Sequence, residues 1–172
     1  TIGAEVDTLS NIENATLTGG SSSNTIDAST FSGSVILDGG ANADTLTGGA
    51  GTDTITGGTG NDIIDGGAGV NTVTATRDFN MTLTDSSLNI NSGADIDSLT
   101  NIQSATLTGG SSANVIDASA FTGNTTLTGG LGNDTLTGST ANNDDRVVET
   151  RDASSITLTN ASLAMDAEAD SL

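Results

Sequence analysis

Four polar residues recur at every ninth position of residues 39–74 and give this stretch a recognisable chemistry. The stretch reads GGANADTLT, GGAGTDTIT, GGTGNDIID and GGAGVNTVT, and the sixth place of the units holds Asp44, Asp53, Asp62 and Asn71. Carboxylate and amide oxygens are ligands for hard divalent cations, and glycine-rich turns add main-chain carbonyl oxygens. The spacing therefore predicts a row of cation sites.

Short strands must position these polar residues. Each unit ends in a triplet such as Thr45-Leu46-Thr47, in which strand geometry turns the central aliphatic inward and the threonines outward. The same aliphatic step continues beyond the block, at Leu17, Ile26, Leu37, Leu46, Ile55, Ile64, Val73, Leu83, Ile90, Leu99, Leu107, Ile116, Leu127 and Leu136. This predicts an all-β, parallel solenoid over residues 1–172, with two short strands per coil of 17–20 residues and little or no helix.

The nonapeptides carry a family resemblance. The units that begin at Gly48 and Gly57 match every fixed position of G-G-x-G-x-D-x-U-x, in which U is aliphatic, whereas the first unit departs at Asn42 and the fourth at Asn71. In this pattern the chain resembles the RTX, or haemolysin-type, calcium-binding repeats. The resemblance implies a parallel β-roll with Ca²⁺ held between stacked turns.

The resemblance also implies two sets of calcium ligands in the block. The first set combines carbonyls and carboxylates of two stacked turns: Gly40, Asn42, Asp44, Gly57, Thr59 and Asp62. The second set lies one turn later and consists of Gly49, Gly51, Asp53, Gly66, Ala68 and Asn71. Because the second set has one carboxylate fewer, we expect it to bind calcium more weakly.

Two degenerate loops could form mixed amide–carboxylate sites. GGSSSN and GGSSAN carry Asn24 and Asn114 at the sixth place, and each precedes the aspartate of the next coil, Asp44 or Asp134. We expect these longer coils to spoil the alignment of the paired side chains. Four other aspartates at or beside the ninth place are predicted to be solvated strand ends, not ligands: Asp27, Asp38, Asp65 and Asp117.

Net charge makes the cation a requirement for folding. The chain has 22 acidic residues against three basic ones and a net charge of −19. With two nonapeptides per coil, Asp44 would lie beneath Asp62, and Asp53 beneath Asn71. Two carboxylates about 5 Å apart repel by roughly 3 kcal/mol at an effective dielectric constant of about 20. We therefore expect the ion-free chain to be unfolded or loose and calcium to fold it.

Composition argues against several functions. The negative charge disfavours nucleic acid as a partner, and no apolar run approaches the roughly 18 residues of a membrane span, so no membrane insertion is expected. The chain has no His, Cys, Tyr or Trp, and its basic residues are all arginines. Most nucleophile and general-base arrangements are therefore missing, and we do not expect an enzyme.

A larger repeat encloses the nonapeptides. Residues 2–49 and 92–139 are near copies 90 positions apart, and residues 150–163 echo residues 76–88. The interpretation is a large repeat at 1–91 followed by a shortened second copy at 92–172. Since both ends fall within repeat units, we expect the chain to be part of a longer protein.

Taken together, these patterns predict a calcium-binding structural segment of a secreted or cell-surface adhesin, surface-layer or matrix fibre protein. Calcium ions are the expected partners, together with end-to-end self-association into filaments. Two alternatives stay open. One is a calcium-dependent secretion module of a type I-secreted hydrolase or toxin. The other is an ice-binding face made by the outward threonines.

Overall fold

A computed structural model describes residues 10–140 and 144–149, and the backbone of three further strands between residues 156 and 171. The chain forms a flattened coil with two sheets. Sheet I has seven strands in the order β1 (Asn14–Gly20), β3 (Ser34–Ala41), β5 (Thr54–Thr59), β7 (Thr72–Thr76), β11 (Ser104–Thr108), β13 (Asn124–Thr128) and β15 (Arg146–Val147).

Sheet II lies on the other side of the coil and has eleven strands. Their order is β16 (Ile156–Leu158), β17 (Ser162–Met165), β18 (Glu168–Ser171), β14 (Thr135–Thr137), β12 (Val115–Ala120), β8 (Met81–Thr84), β9 (Ser87–Ile90), β10 (Asp95–Thr100), β6 (Ile63–Asp65), β4 (Thr45–Thr47) and β2 (Thr25–Asp27). Among the described residues, the one helical segment is a 3-10 turn at Asn91–Gly93. The predicted all-β parallel solenoid is confirmed.

Consecutive coils stack in parallel and in register. In the nonapeptide block Leu37 pairs with Ile55, and Leu46 pairs with Ile64, so each coil there consists of two nonapeptides. The preceding coil is slightly longer, since Ile26 pairs with Leu46. Every step therefore brings one inward aliphatic directly over the next.

One coil departs from the predicted two strands. Val73 of β7 pairs with Ala105 of β11, so this coil is much longer than those before it. The intervening chain forms an antiparallel meander of β8, β9 and β10 in sheet II, in which Leu83 pairs with Leu88. The reason is local: the β8–β9 connection is a tight turn without Gly-Gly, in which the Thr84 hydroxyl accepts the Ser87 N–H at 3.0 Å. The expectation of two strands in every coil was wrong here.

The core is one narrow cluster of aliphatic side chains between the two sheets, with one row from each sheet. Every predicted inward position from Leu37 to Leu136 is buried, and the meander adds Met81 and Leu88. Leu17 is 39% exposed and Ile26 is only partly buried, because β1 and β2 each have one strand partner among the described residues. Burial of about one aliphatic per strand is a thin core.

A second meander has the same connectivity as the first. β16, β17 and β18 are antiparallel, and β18 pairs with β14 through Thr135 and Ser171. β10 pairs with β6 in the same way, through Ile63 and Ser98. The echo predicted at 150–163 falls partly on residues 150–155 and 159–161, which lie outside the described residues, as do residues 1–9. The boundaries of the large repeats stay a prediction. No helix among the described residues is long and apolar enough to cross a membrane.

Candidate metal centre

The turns between the sheets form two columns along the coil. We call the column where the chain passes from sheet I to sheet II the first edge; it includes residues 19–24, 39–44 and 57–62. The column where the chain returns to sheet I is the second edge and includes residues 48–53 and 66–71. Alternate nonapeptides therefore lie on opposite sides of the molecule.

Acidic side chains stack along the first edge through a repeated hydrogen bond. The Asn24 N–H donates to Asp44 Oδ1 at 2.7 Å, and the Asp44 N–H donates to Asp62 Oδ1 at 2.8 Å. The Asp62 N–H in turn donates to Asp97 Oδ1 at 3.1 Å. The expected stacking of Asp44 and Asp62 is confirmed. Each carboxylate uses one oxygen to hold the preceding coil.

In this column the second carboxylate oxygens of Asp44 and Asp62 lack partners. Asp44 Oδ2, Asp62 Oδ2 and Asp95 Oδ1 are the buried side-chain atoms without a hydrogen bond among the described residues. Asp44 and Asp62 are only 2% and 1% exposed. A buried anionic oxygen with no donor is costly unless a cation neutralises it. These atoms therefore mark where a cation fits.

The cradle around these oxygens is made by glycines. A Cβ at Gly39 would lie 2.4 Å from Asp44 Oδ2 and 2.4 Å from the Gly57 carbonyl oxygen. The carboxylate oxygen of one turn and the carbonyl oxygen of the next therefore face the same small space. Hard oxygens from two stacked turns are the donor set that calcium prefers.

The structure places the first predicted ligand set in two adjacent turns. Asp44 and Gly57 face each other, and Gly40 and Thr59 lie where β3 pairs with β5. Asn42 has a φ of 68° and its amide donates to the Ser21 carbonyl at 2.8 Å. The described residues contain no cluster of three or more acidic side chains able to hold a metal ion. Main-chain carbonyls would therefore have to complete the coordination.

The second edge has a different polar arrangement. Asp53 accepts the Val35 N–H on Oδ1 and the Gly49 N–H on Oδ2, both at 2.8 Å. The Asp53 N–H donates to Asn71 Oδ1 at 3.0 Å, which confirms the expected stacking of these two side chains. Both oxygens of Asp53 are thus hydrogen-bonded inside the protein.

Asn71 completes this hydrogen-bonded arrangement. Its side-chain NH₂ donates to the carbonyls of Ala68 and Asn101, both at 3.2 Å. The Gly49 carbonyl accepts the Ala68 N–H at 2.9 Å, and a Cβ at Gly48 would lie 2.5 Å from the Gly66 carbonyl oxygen and 2.6 Å from Asp53 Oδ2. Gly51 lies in the turn beside them. A cation here would have to displace existing donors, whereas at the first edge it would not.

The two degenerate loops are aligned with their neighbours. The Asn24 and Asn114 N–H groups each donate, at 2.7 Å, to the aspartate of the next coil, Asp44 and Asp134 respectively. The expectation that longer coils spoil this alignment was wrong, because the extra residues form a turn at the second edge, closed at 2.8 Å by the Phe31 N–H and the Ala28 carbonyl. Each asparagine Oδ1 accepts an N–H of its own turn, from Gly20 or Gly110.

Asp97 was missed in the sequence because it lies 35 residues after Asp62, beyond the regular repeat. A signal was nevertheless present, since Asp97-Ser98-Leu99-Thr100 repeats the D-x-U-x end of a nonapeptide. Burial raises the pKa of Asp97 from 3.8 to about 7, and repulsion by Asp62 and Asp95 adds to this. Burial also raises the pKa of Asp62. Burial therefore opposes the ionisation of Asp62 and Asp97 unless a cation is bound.

Comparison with known proteins agrees with the site. Residues 36–73 and 119–144 match the family model described as the RTX calcium-binding nonapeptide repeat (4 copies). Comparison with curated proteins gives no match.

Among solved structures, the extracellular lipase LipA from Serratia marcescens is similar at 20% identity and a TM-score of 0.21, over 84% of this chain and 38% of the lipase chain. The chain thus spans well under half of the lipase. The family match and the oxygen-lined first edge agree: residues 36–73 and 119–144 match the RTX repeat, a family that binds calcium, and the first edge offers the hard oxygens that calcium prefers.

Proposed function

We propose that this chain is a calcium-dependent structural segment of a secreted or cell-surface protein, of the adhesin, surface-layer or matrix-fibre kind, and that it is not an enzyme. The observation that carries the proposal is the recurrence of one architectural unit. Nonapeptide coils are followed by an antiparallel meander, and the last coil strand pairs with the last meander strand both at β6–β10 and at β14–β18. A unit that stacks on copies of itself builds length.

Calcium would supply the stiffness of such a segment. The aliphatic core between the two sheets is thin, and the first edge adds stacked, buried carboxylates that repel one another. Calcium bound to the folded coil and not to the unfolded chain stabilises it by mass action. Since extracellular calcium modules bind in roughly the 0.1 to 1 mM range, folding would follow exposure to external calcium.

Circular dichroism with and without calcium tests this function. We expect a β-sheet spectrum in millimolar calcium, largely lost after calcium is removed and recovered when it is added back. Magnesium at the same concentration serves as the control for ionic strength and charge, because it dehydrates reluctantly and prefers octahedral sites. An unchanged β spectrum in calcium-free buffer would contradict the proposal.

The gene that encodes the protein separates the structural role from a secretion module. Many copies of the large repeat would support an adhesin or fibre, since each copy adds coils to one stack. A catalytic domain preceding only these few coils would instead support a secretion module of an exported hydrolase or toxin. Calcium binding is common to both roles and does not distinguish them.

End-to-end self-association belongs to the same proposal. β1 and β2 each pair with one strand in the described part of the chain, and a strand with an unpaired side is a template for another chain. Sedimentation velocity in calcium over a hundredfold range of protein concentration tests this. We expect species larger than the monomer at high concentration, and a concentration-independent monomer would contradict filament formation.

A further inference from the structure

We propose that the turn at residues 57–62 and the start of β10 form a further calcium site, closed by the carboxylates of Asp62 and Asp95. This site joins the nonapeptide coils to the meander. It lies partly outside the matched family repeats, which end at residue 73 before resuming at residue 119. The inference rests on the proposed calcium dependence and adds a joint between the two parts of the repeat.

The start of β10 occupies the place of the next nonapeptide turn. β10 pairs in parallel with β6, Ile64 opposite Leu99. The Asp62 N–H donates to Asp97 Oδ1 at 3.1 Å, as the Asp44 N–H does to Asp62 Oδ1 at 2.8 Å. Residues 92–100, SGADIDSLT, thus stand over GGTGNDIID as a divergent nonapeptide whose sixth place is Asp97.

In this divergent unit Asp95 replaces the third glycine of the motif. Gly60, its counterpart one coil earlier, has a φ of 120°, whereas Asp95 is not among the residues with positive φ. The Gly60 N–H donates to Asp95 Oδ2 at 3.3 Å, and the Ile96 N–H donates to Asn61 Oδ1 at 2.9 Å. These bonds hold the Asp95 carboxylate against the turn at 57–62.

Two unpaired oxygens indicate the ligand. Asp62 is 1% exposed; its Oδ1 is used by the preceding coil, and its Oδ2 has no partner. The coil that follows Asp62 in the stack is the one that carries Asp95, whose Oδ1 is also buried and unpaired. Asp95 adds to the repulsion at Asp62. A divalent cation between them would satisfy both oxygens, with turn carbonyls completing the coordination.

The acidic pair recurs at the same phase of the larger repeat. Glu5 and Asp7 are spaced as Asp95 and Asp97 are, and Glu168 and Asp170 repeat the spacing before the Ser171 that pairs with Thr135. An acidic segment thus adjoins the last nonapeptide strand both at β6 and at β14. This recurrence is expected if a cation joins each block of coils to its meander.

Counting bound ions in matched variants tests the site. Equilibrium dialysis with radioactive calcium measures the number of ions bound by the 172-residue chain and by Asp95→Asn. We expect Asp95→Asn to bind one ion fewer than the wild type at saturation. Asp38→Asn makes the same charge change on the outward side of β3 and is expected to keep the wild-type number.

A second variant tests whether the Asp95 side chain coordinates the ion or only shapes the turn. Asp95→Gly restores the glycine of the nonapeptide motif. If the main-chain conformation of the turn alone held the ion, this variant would bind as many ions as the wild type. Because the proposal makes the Asp95 carboxylate a ligand, we expect this variant also to bind one ion fewer. Circular dichroism in saturating calcium checks that both variants remain folded. Wild-type ion numbers in both variants, or loss of all ions in either, would overturn the site. A wild-type chain that binds no calcium would instead overturn the proposed function.

Discussion

The two edges of the solenoid come from the same nonapeptide motif, yet they differ in how their polar groups are satisfied. At the first edge, Asp44 and Asp62 each keep one buried oxygen without a partner. At the second edge, both oxygens of Asp53 accept main-chain N–H groups, and Asn71 donates its NH₂ to two carbonyls. The same position in the repeat is thus left open on one side and closed on the other.

This difference shows that the nonapeptide motif alone does not specify a cation site. An aspartate stacked on another aspartate leaves an oxygen for the ion, whereas an asparagine replaces that oxygen with a hydrogen-bond donor. On the proposed function the first edge needs calcium for its stability, whereas the second edge is held by its own hydrogen bonds. Each of the following predictions separates these two behaviours.

The largest expected effect is a pH dependence of the first edge. The pKa of Asp97 is raised from 3.8 to about 7, so the folded, ion-free chain keeps a proton that the unfolded chain loses. The contribution of Asp97 to the stability of the ion-free chain is therefore fully present below about pH 4 and is lost as pH rises to about 7, with a total of up to about 4 kcal/mol. The raised pKa of Asp62 acts in the same direction.

Urea unfolding in calcium-free buffers between pH 4 and pH 7.5, with sucrose added throughout so that the ion-free chain starts folded, measures this effect. Asp97→Asn removes the titrating group and is expected to flatten the profile. With calcium present the slope should reverse, since ion binding requires the carboxylates to be deprotonated. A wild-type chain that gains stability with rising pH in calcium-free buffer would contradict this picture of the first edge.

A methyl group in the first-edge cradle is expected to have the next largest effect. In Gly57→Ala, the new Cβ would lie 2.4 Å from Asp62 Oδ2. This clash should lower the free energy of unfolding in calcium by about 2 to 3 kcal/mol. Gly20→Ala is the matched control, because no atom lies within 4 Å of its Cβ. Equal stability of the two variants in denaturant titrations would count against the cradle.

Converting the second edge into a copy of the first has a smaller expected effect. Asn71→Asp replaces an NH₂ that donates to the Ala68 and Asn101 carbonyls with an anionic oxygen. We expect a loss of about 2 kcal/mol in stability without calcium and one additional bound ion with calcium. Asn89→Asp adds the same charge on the meander strand β9 and serves as the control. Calorimetric titration showing no additional ion in Asn71→Asp would contradict the comparison.

The nine-residue spacing of aliphatic residues predicted most of the fold. It predicted the buried column from Leu37 to Leu136 and the stacking of Asp44 on Asp62. It could not distinguish the meander, because Leu83 and Ile90 keep nearly the same step in antiparallel strands as in parallel coils. Inward alternation has period two in either kind of strand, and only the pairing partner differs.

The difference between the two edges could not be predicted from the sequence, for a similar reason. Whether a carboxylate oxygen meets an N–H depends on which main-chain groups of the neighbouring coil face it. Asp53 meets the Val35 and Gly49 N–H groups, but Asp44 Oδ2 meets none. Asp97 and Asp95 were missed because the meander separates Asp62 from its next partner by 35 positions.

The most direct test compares the isosteric variants Asp44→Asn and Asp53→Asn with and without calcium. In Asp44→Asn the amide relieves repulsion and can donate towards the Gly57 carbonyl, so the ion-free chain should gain about 1 kcal/mol while calcium-induced stabilisation shrinks. In Asp53→Asn an NH₂ would face a main-chain N–H from Val35 or Gly49, which should cost about 1 to 3 kcal/mol in both conditions. Denaturant unfolding of the two variants in calcium and in calcium-free buffer gives all four values, with sucrose added to every sample so that the ion-free chain starts folded. Opposite signs in calcium-free buffer are predicted, and equal destabilisation by both variants would contradict the distinction between the edges.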